Sequence, residues 1–509
     1  MTSESGMAGA PAGAASAARL LAVRRMRITA VIVASALFMQ NLDSTVVATA
    51  LPALAHAFHA DPVHMSVALT AYMFSLATFI PASGWMADRF GARLVFRVAI
   101  VVFTVGSVLC GMAPSFAALI LARILQGAGG AMMIPVGRLV LLRSTEKGDL
   151  VAAMSWLTVP ALIGPVLGPP LGGFLVTFFS WRWIFDINVP IGIAGVIAAS
   201  LYIDDVAVER PGRFDWRGFL LAATALAASM FGVETIGRGV VAPLLAWGGL
   251  GLGLAAGAGY GWHARRHPAP LLDFTLMRLP TFRVSVLSGS LFRLGVGAVP
   301  FLLPLLLQVD FGRSPVESGL ITLASAAGAL AMKPLAQPVL RHFGFRAVLL
   351  WNGVIAALLL GGGAFFRADW PLTALYGVLL AGGLFRSLQF TAYNSLAYAE
   401  VSRARMSAAT GLYSAMQHVT LTLGITVGAL VLELATAIGG HTRPHPADFS
   451  VAFAVVAGLS LLATPLVREL TPEAGAELAA GAGAAAPSPA PSPAGEAIAA
   501  SASPGVSGL

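Results

Sequence analysis

The 509-residue sequence holds a single cysteine, Cys110, inside an apolar run, which excludes an internal disulfide and a cysteine-built metal site. Charge is scarce too. Asp, Glu, Lys and Arg make up 11% of the residues, against about 25% in ordinary soluble domains. Lysine stands only at Lys147 and Lys333. The length would allow three soluble domains, but there is no polar surface to clothe them. The formal charge of +8 is spread through short segments, so no nucleic-acid partner is expected. None of the nine histidines is read as metal-spaced, so no metal is expected. No cofactor is expected either, and the chain is read as a non-enzyme.

Apolar residues take up the space, at 57% of the chain with a mean hydropathy of +0.82. Runs of about 20 apolar residues recur, each long enough to cross about 30 Å of hydrocarbon. A polytopic, all-α integral membrane protein follows. Spans are expected at 28–50, 65–87, 94–113, 117–141, 150–178 and 183–203, then 218–236 and 240–262 after a charged linker. Six more follow at 284–308, 316–340, 346–366, 371–396, 407–437 and 449–467, giving fourteen as six, two and six. Leu271-Leu272-Asp273-Phe274 suggests a short interfacial helix. The domains so implied are a segment 1–27, a six-helix bundle 28–204, a linker with two extra spans 205–264, a second bundle 265–468 and a disordered tail 469–509.

The halves echo each other. Gly84-Trp85-Met86-Ala87-Asp88-Arg89-Phe90-Gly91-Ala92-Arg93 turns the chain between spans two and three, and Arg341-His342-Phe343-Gly344-Phe345-Arg346 does so in the second half. Pro62-Val63 upstream of the first loop is matched by Pro315-Val316 upstream of the second. A half-chain repeat is a transporter signature. With the first residue inside, 22 of the 31 Lys and Arg fall in cytoplasmic segments or at the cytoplasmic ends of spans, Arg97, Arg138 and Arg346 being at such ends, five fall outside and four lie deeper within spans. That asymmetry predicts both termini cytoplasmic. No cleavable leader is read at the start.

Ionised side chains inside spans cost about 2.5–3.5 kcal/mol even on the lenient insertion scale. Asp43 lies mid-span among Gln40, Asn41, Ser44 and Thr45. It reads either as a proton carrier or cation partner in a wet cavity, or as a helix-packing carboxyl. Arg123 and Gln126, three apart, share a helix face, and Arg386 and Gln389 repeat the pair. Coupling or substrate binding stands there against a structural hydrogen-bond anchor. Glu234 and Arg293 are weaker candidates. Glu234 sits near a span end, and the direction Arg293 faces is undetermined. Lys333 reads as a snorkelling residue, and His418 and Glu433 as helix-contact or end residues. The fifth span carries Gly164-Pro165-Val166-Leu167-Gly168-Pro169-Pro170-Leu171-Gly172-Gly173, a sequence for a kinked, tightly packed helix.

These stretches resemble the major facilitator superfamily. Gly84, Asp88, Arg89, Gly91 and Arg93 are similar to its loop signature between spans two and three. Arg123 to Ala131 resembles its fourth-span signature, and Gly164 to Gly173 its fifth-span antiporter motif. Leu42-Asp43 to Leu51-Pro52, Trp181-Arg182-Trp183-Ile184-Phe185 and Asn188-Val189-Pro190 look like the fourteen-span drug:proton antiporters of the EmrB/QacA subfamily. The second-half loop departs from the signature, with Arg341 where Asp88 stands.

The resemblance implies a major facilitator fold, two six-helix bundles related by a pseudo-two-fold axis, with spans seven and eight inserted. It implies proton-coupled efflux of a drug or toxic compound by alternating access, in a bacterial inner membrane. Proton coupling is expected at Asp43, Arg123 and Glu234. A substrate cavity is expected at Gln40, Asn41, Thr45, Gln126, Arg293, Arg386 and Gln389. The first-half loop is the expected gate, and Gly164, Pro165, Gly168, Gly172 and Gly173 form the antiporter motif. Expected partners are a small amphipathic substrate, protons and lipid, with a periplasmic adaptor and outer-membrane channel as candidates. With few acids in the spans, a multiply cationic substrate is not expected. A proton-coupled importer and a non-transporting sensor are the rival readings.

Overall fold

A computed structural model describes residues 12–58, 62–145, 149–204, 213–235, 242–268, 270–313, 315–440 and 444–480. The linker at 205–212 and the tail from 481 lie outside the described residues. With no water in hydrocarbon to satisfy peptide groups, long apolar runs close their hydrogen bonds internally as helices. In the first half these are α1 (Ala12–Ala57), α2 (Pro62–Phe79), α3 (Ser83–Phe90), α4 (Ala92–Gly111), α5 (Phe116–Ser144), α6 (Leu150–Phe178), α7 (Trp183–Asp186) and α8 (Asn188–Tyr202). A hairpin of α9 (Trp216–Thr235) and α10 (Pro243–Ala264) follows. The second half comprises α11 (Pro280–Leu305), α12 (Pro315–Ala331), α13 (Lys333–Phe343), α14 (Phe345–Gly361), α15 (Leu372–Leu396), α16 (Met406–Ile438), α17 (Pro446–Leu461), α18 (Ala463–Val467) and α19 (Ala476–Ala480).

Helical segments stand in all fourteen expected places. Among the described residues, nine helices are long and apolar enough to cross a membrane, or ten with the bent pair α12–α13 counted as one span. The repeat seen in the sequence is visible in the backbone. Both second spans start at a proline, Pro62 or Pro315, and both are broken near a second proline. A 3₁₀ turn over Ile80–Ala82 holds Pro81 in the first, and a 51° bend precedes Pro334 in the other. Both turns after them use a glycine at positive φ, Gly91 at 87° and Gly344 at 74°, where a side chain would be strained.

Helix pairing repeats as well. α1 packs on α6, α2 on α5 and α4 on α5; α11 packs on α16, α12 on α15 and α14 on α15. The inserted α10 packs on α9, and α9 on α2 and α16. Leu244, Leu245, Trp247, Leu252 and Leu254 of α10 point outward at 57% exposure or more, an apolar face suited to lipid.

The core is divided unevenly. At the end bearing α19, buried residues from both halves, among them Phe96, Val136, Met154, Phe282, Leu340 and Tyr413, form one continuous cluster. At the opposite end each half has its own. One contains Leu42, Val46, Leu119 and Trp181, the other Ala298, Leu302, Ile321 and Phe449. The halves are therefore joined at one end and separate at the other.

Two local expectations change, at 84–93 and at the interfacial helix. The stretch 84–93 is not a ten-residue loop. Residues 83–90 stay helical as α3, and Gly91 alone turns the chain, because the charged residues lie at an exposed helix end that needs no unwinding. The fifth span, α6, is one uninterrupted helix through Pro165, Pro169 and Pro170. The interfacial helix is a 3₁₀ segment over Phe274–Arg278, with the Asp273 carboxylate accepting from the Thr275 N–H at 2.8 Å.

Candidate functional site

Asp43 is enclosed at 1% exposure by α1, α4, α5 and α8. The Arg123 Nη1 donates to its Oδ2 at 2.6 Å, and the Gln126 Nε2 and Asn188 Nδ2 donate to its Oδ1 at 2.8 and 3.2 Å. The Ser107 hydroxyl accepts from Gln126 at 2.7 Å and from Asn188 at 3.1 Å. Arg123 is itself fully buried. It donates from Nη1 to the Gln126 Oε1 at 2.6 Å and from Nε to the Ala68 carbonyl at 3.2 Å, with its guanidinium 4.3 Å from the Tyr72 ring centroid. A carboxylate and a guanidinium with this many partners are held out of water without a net charge. Asp43 is the single carboxylate facing Arg123 among the described residues, so loss of its charge would leave the guanidinium without a counter-charge.

Gln40 and the Tyr72 hydroxyl both lie against Gly130, beside this cluster. Asn41 and Thr45 face elsewhere, towards α6. A Cβ on Gly164 would lie 3.1 Å from the Asn41 Cβ, one on Gly168 2.0 Å from the Thr45 Oγ1, and one on Gly172 3.2 Å from Val46. Glycines four apart thus make a ridge on which α1 rests directly. Gly173 meets nothing within 4 Å and lies off that ridge. The side chains of Pro165 and Glu234 fall outside the described residues.

The second-half candidates are not joined to the first. Arg386 donates to the Ser325 hydroxyl of α12 at 2.9 Å, as Arg123 reaches α2, but α11 supplies it no acid. Gln389 accepts from Asn352 at 2.7 Å and donates to the Leu349 carbonyl at 3.0 Å. Arg293, 1% exposed, donates to the Tyr413 hydroxyl, which in turn donates to the Asn394 Oδ1 at 2.9 Å. Lys333 does not reach water. It is buried and donates to the Thr391 hydroxyl at 3.2 Å.

At the joined end, Asp88 pairs with Arg143 at 2.9 Å and accepts from the Ser407 hydroxyl of α16. A Cβ on Gly84 would stand 3.0 Å from the Ser407 carbonyl oxygen. Arg93 donates to the Ser200 carbonyl, while Arg89 is exposed. Arg138 of α5 reaches across the halves to Gln417 at 3.1 Å and Ser414 at 3.4 Å. Sequence reasoning missed Arg138, which reads as a cytoplasmic-end charge, and Ser107, a neutral residue inside an apolar run, while Asn188 entered only within the Asn188-Val189-Pro190 stretch and without a role at the site. Among the described residues no carboxylate pairs with the buried Arg138, Arg293 or Lys333.

The Asp273 carboxyl, outside the spans, is pushed up by partial burial but held on balance below the usual carboxylate range by hydrogen bonds from Thr275 and Arg405. Its Oδ2 accepts from Arg405 at 2.6 Å, tying the crossover to the start of α16.

The profile described as Major Facilitator Superfamily matches residues 33–277 and 285–502. A candidate multidrug resistance protein named MdtD, from Serratia proteamaculans strain 568, is 39% identical over 409 residues, covering 79% of this chain and 84% of that protein. Its namesake from Klebsiella pneumoniae strain 342 is 38% identical over 405 residues, covering 79% and 85%. The human organic anion transporter MFSD10 (TETRAN) superposes with a TM-score of 0.60 at 17% identity, covering 87% of this chain and 99% of that one. The proton:xylose symporter XylE, bound to 6-bromo-6-deoxy-D-glucose, does so at 0.61 and 14%, covering 90% and 98%.

Proposed function

The chain belongs to the major facilitator superfamily, and from that premise we propose that it is a multidrug efflux transporter driven by inward proton flow. Its relatives named for multidrug resistance support the export reading. The observation that carries the coupling is the fully buried Asp43–Arg123 pair with Gln126, Asn188 and Ser107 around it. A proton arriving at Asp43 cancels the charge that holds Arg123, freeing the guanidinium to take new partners as the halves rock. Gly168 against Thr45 lets α1 and α6 stay in close contact through that motion.

One proton moving inward down about 120 mV and one pH unit supplies roughly 4 kcal/mol. That sustains a substrate gradient of about a thousandfold. Buried Arg138, Arg293 and Lys333, with no acid paired to them among the described residues, favour a neutral or anionic amphipathic substrate over a multiply cationic one. The protein sits in a bacterial inner membrane with both termini cytoplasmic, joined at its cytoplasmic end and open outward. No adaptor or outer-membrane channel is required by this mechanism.

Everted vesicles from a pump-deficient host test it. Acidifying the lumen is expected to drive accumulation of a fluorescent amphipathic anion, and Asp43→Asn to abolish uphill but not downhill movement. Accumulation driven by the opposite gradient would mean an importer, and no flux for any compound a sensor. Uphill pumping by Asp43→Asn at the wild-type rate would move coupling elsewhere.

A further inference from the structure

The base of the α9–α10 hairpin gathers three metal-competent side chains that efflux does not use. Asp215 immediately precedes α9, His263 lies in the last turn of α10, and His267 follows three residues after that helix ends. One offered atom from each of the three falls within 4.8 Å of the others. The expectation that no histidines carry metal-ligand spacing is thereby corrected. The His267 N–H donates to the His263 carbonyl at 2.9 Å just past the helix end, and this closing turn brings the two imidazoles side by side. The signal was legible, but it stands in a basic, proline-containing segment that reads first as a loop.

We propose that Asp215, His263 and His267 bind one divalent transition-metal ion of the zinc, cobalt or nickel class. The His263 Nε2 lies 2.9 Å from the Asp215 Oδ1, and the His267 Nδ1 4.0 Å from its Oδ2. The two rings stack with centroids 5.1 Å apart. An ion held at about 2.0–2.2 Å from N and O donors needs those donors roughly 3–3.5 Å apart, so rotations of the side chains alone would seat it. Two imidazoles and one carboxylate suit borderline divalent ions, whereas calcium and magnesium want oxygen alone. The histidine side chains are 16% and 31% exposed and the carboxylate 3%, so solvent has a path to the site.

The surroundings fit a ligand. The Gly218 N–H donates to the Asp215 Oδ1 at 2.8 Å, fixing the carboxylate as outer-shell partners of metal ligands do. A Cβ at Gly218 would fall 2.0 Å from Oδ2, so only glycine leaves the carboxylate its room. The Arg266 guanidinium stacks on Trp262, 4.0 Å from the ring centroid, which turns a nearby cation to another partner. The site also sits beside the crossover. The Tyr260 hydroxyl accepts from the Leu272 N–H at 2.6 Å and donates to the Leu272 carbonyl at 3.1 Å. A bound ion would clasp the hairpin at the point where it joins the second half.

Full-length, tag-free protein in detergent, stripped with chelator, is titrated with Co²⁺ and with Zn²⁺. The expected result is one equivalent per chain, visible cobalt absorption, and a raised melting temperature with zinc. His267→Gln leaves the Asp215–His263 contact and the α9 start intact. It is expected to weaken binding at least tenfold and to remove the zinc-dependent rise in melting. His263→Gln is expected to do the same. Stoichiometric binding of neither metal, or equal affinity in wild type and His267→Gln, would overturn the assignment. Efflux is a separate readout, so failure here leaves the transport reading untouched.

Discussion

Asp43→Asn keeps the shape of the carboxylate and removes its charge, leaving Arg123 in a site of 0% exposure. The Ala68 carbonyl, the Gln126 oxygen and the Tyr72 face remain around the guanidinium, but none neutralises it. Removing one partner of a buried pair costs about 3–5 kcal/mol. Arg123→Gln alone strands the carboxylate with only Gln126 and Asn188 as donors, a loss of similar size. The double variant removes both charges and leaves amides that can bond to one another and to Ser107. Its deficit should shrink to about 1–2 kcal/mol, the ordinary loss for imperfect neutral hydrogen bonds. Melting purified variants in detergent at neutral pH, followed by tryptophan fluorescence, reads the order. Wild type is expected highest, the double variant next and both singles lowest. A double variant melting at or below the weaker single would mean that acid and arginine act independently, and the paired-charge account of the site would be wrong.

Asp88→Asn should loosen the joined end, because it removes the ion pair to Arg143 and weakens the bond from Ser407. With a cost of about 1–3 kcal/mol for a largely buried charge-assisted bond, alkylation of a Ser414→Cys probe should speed up about fivefold or more. The native Cys110 is buried and should stay silent, and an unchanged rate would remove Asp88 from the closure. Asp273→Asn should lower the melting temperature at neutral pH by an amount worth about 1 kcal/mol or less, since Arg405 is 39% exposed. The Asp273 carboxyl is depressed in the folded state, so its contribution is present above the ordinary carboxylate pKa and lost as pH falls through the folded one. Variant and wild type should therefore differ by a constant amount from about pH 5 to 8 and converge near pH 3 or below. A gap that widened with acid would contradict the sign.

Helix positions and the repeat were legible because hydrocarbon thickness and backbone satisfaction act on runs of residues, which a sequence displays directly. Asp43 and Arg123 were legible individually for the same reason, as charges where charges are expensive. Their contact was not, since residues 80 apart in the chain meet only through the packing of α1 on α5. Ser107 escaped notice, and Asn188 was read without a role at Asp43, because a neutral polar group in an apolar run carries no penalty large enough to single it out. Arg386 shows the opposite failure. Its repeat with Arg123 is real in register, but the equivalent acid is missing from the facing helix, so identical side chains do different work in the two halves.

The uneven core has a thermodynamic consequence. To exchange one open end for the other, the protein must expose apolar surface where the halves share a single cluster and cover apolar surface where two clusters stand apart. Exposure raises heat capacity and burial lowers it, so the two contributions oppose each other within one cycle. The enthalpy difference between the two states should then stay nearly constant on warming or cooling, even though each end separately carries a large heat-capacity change. A transporter built this way should shift between its states along a nearly straight van't Hoff line across the growth range of its host.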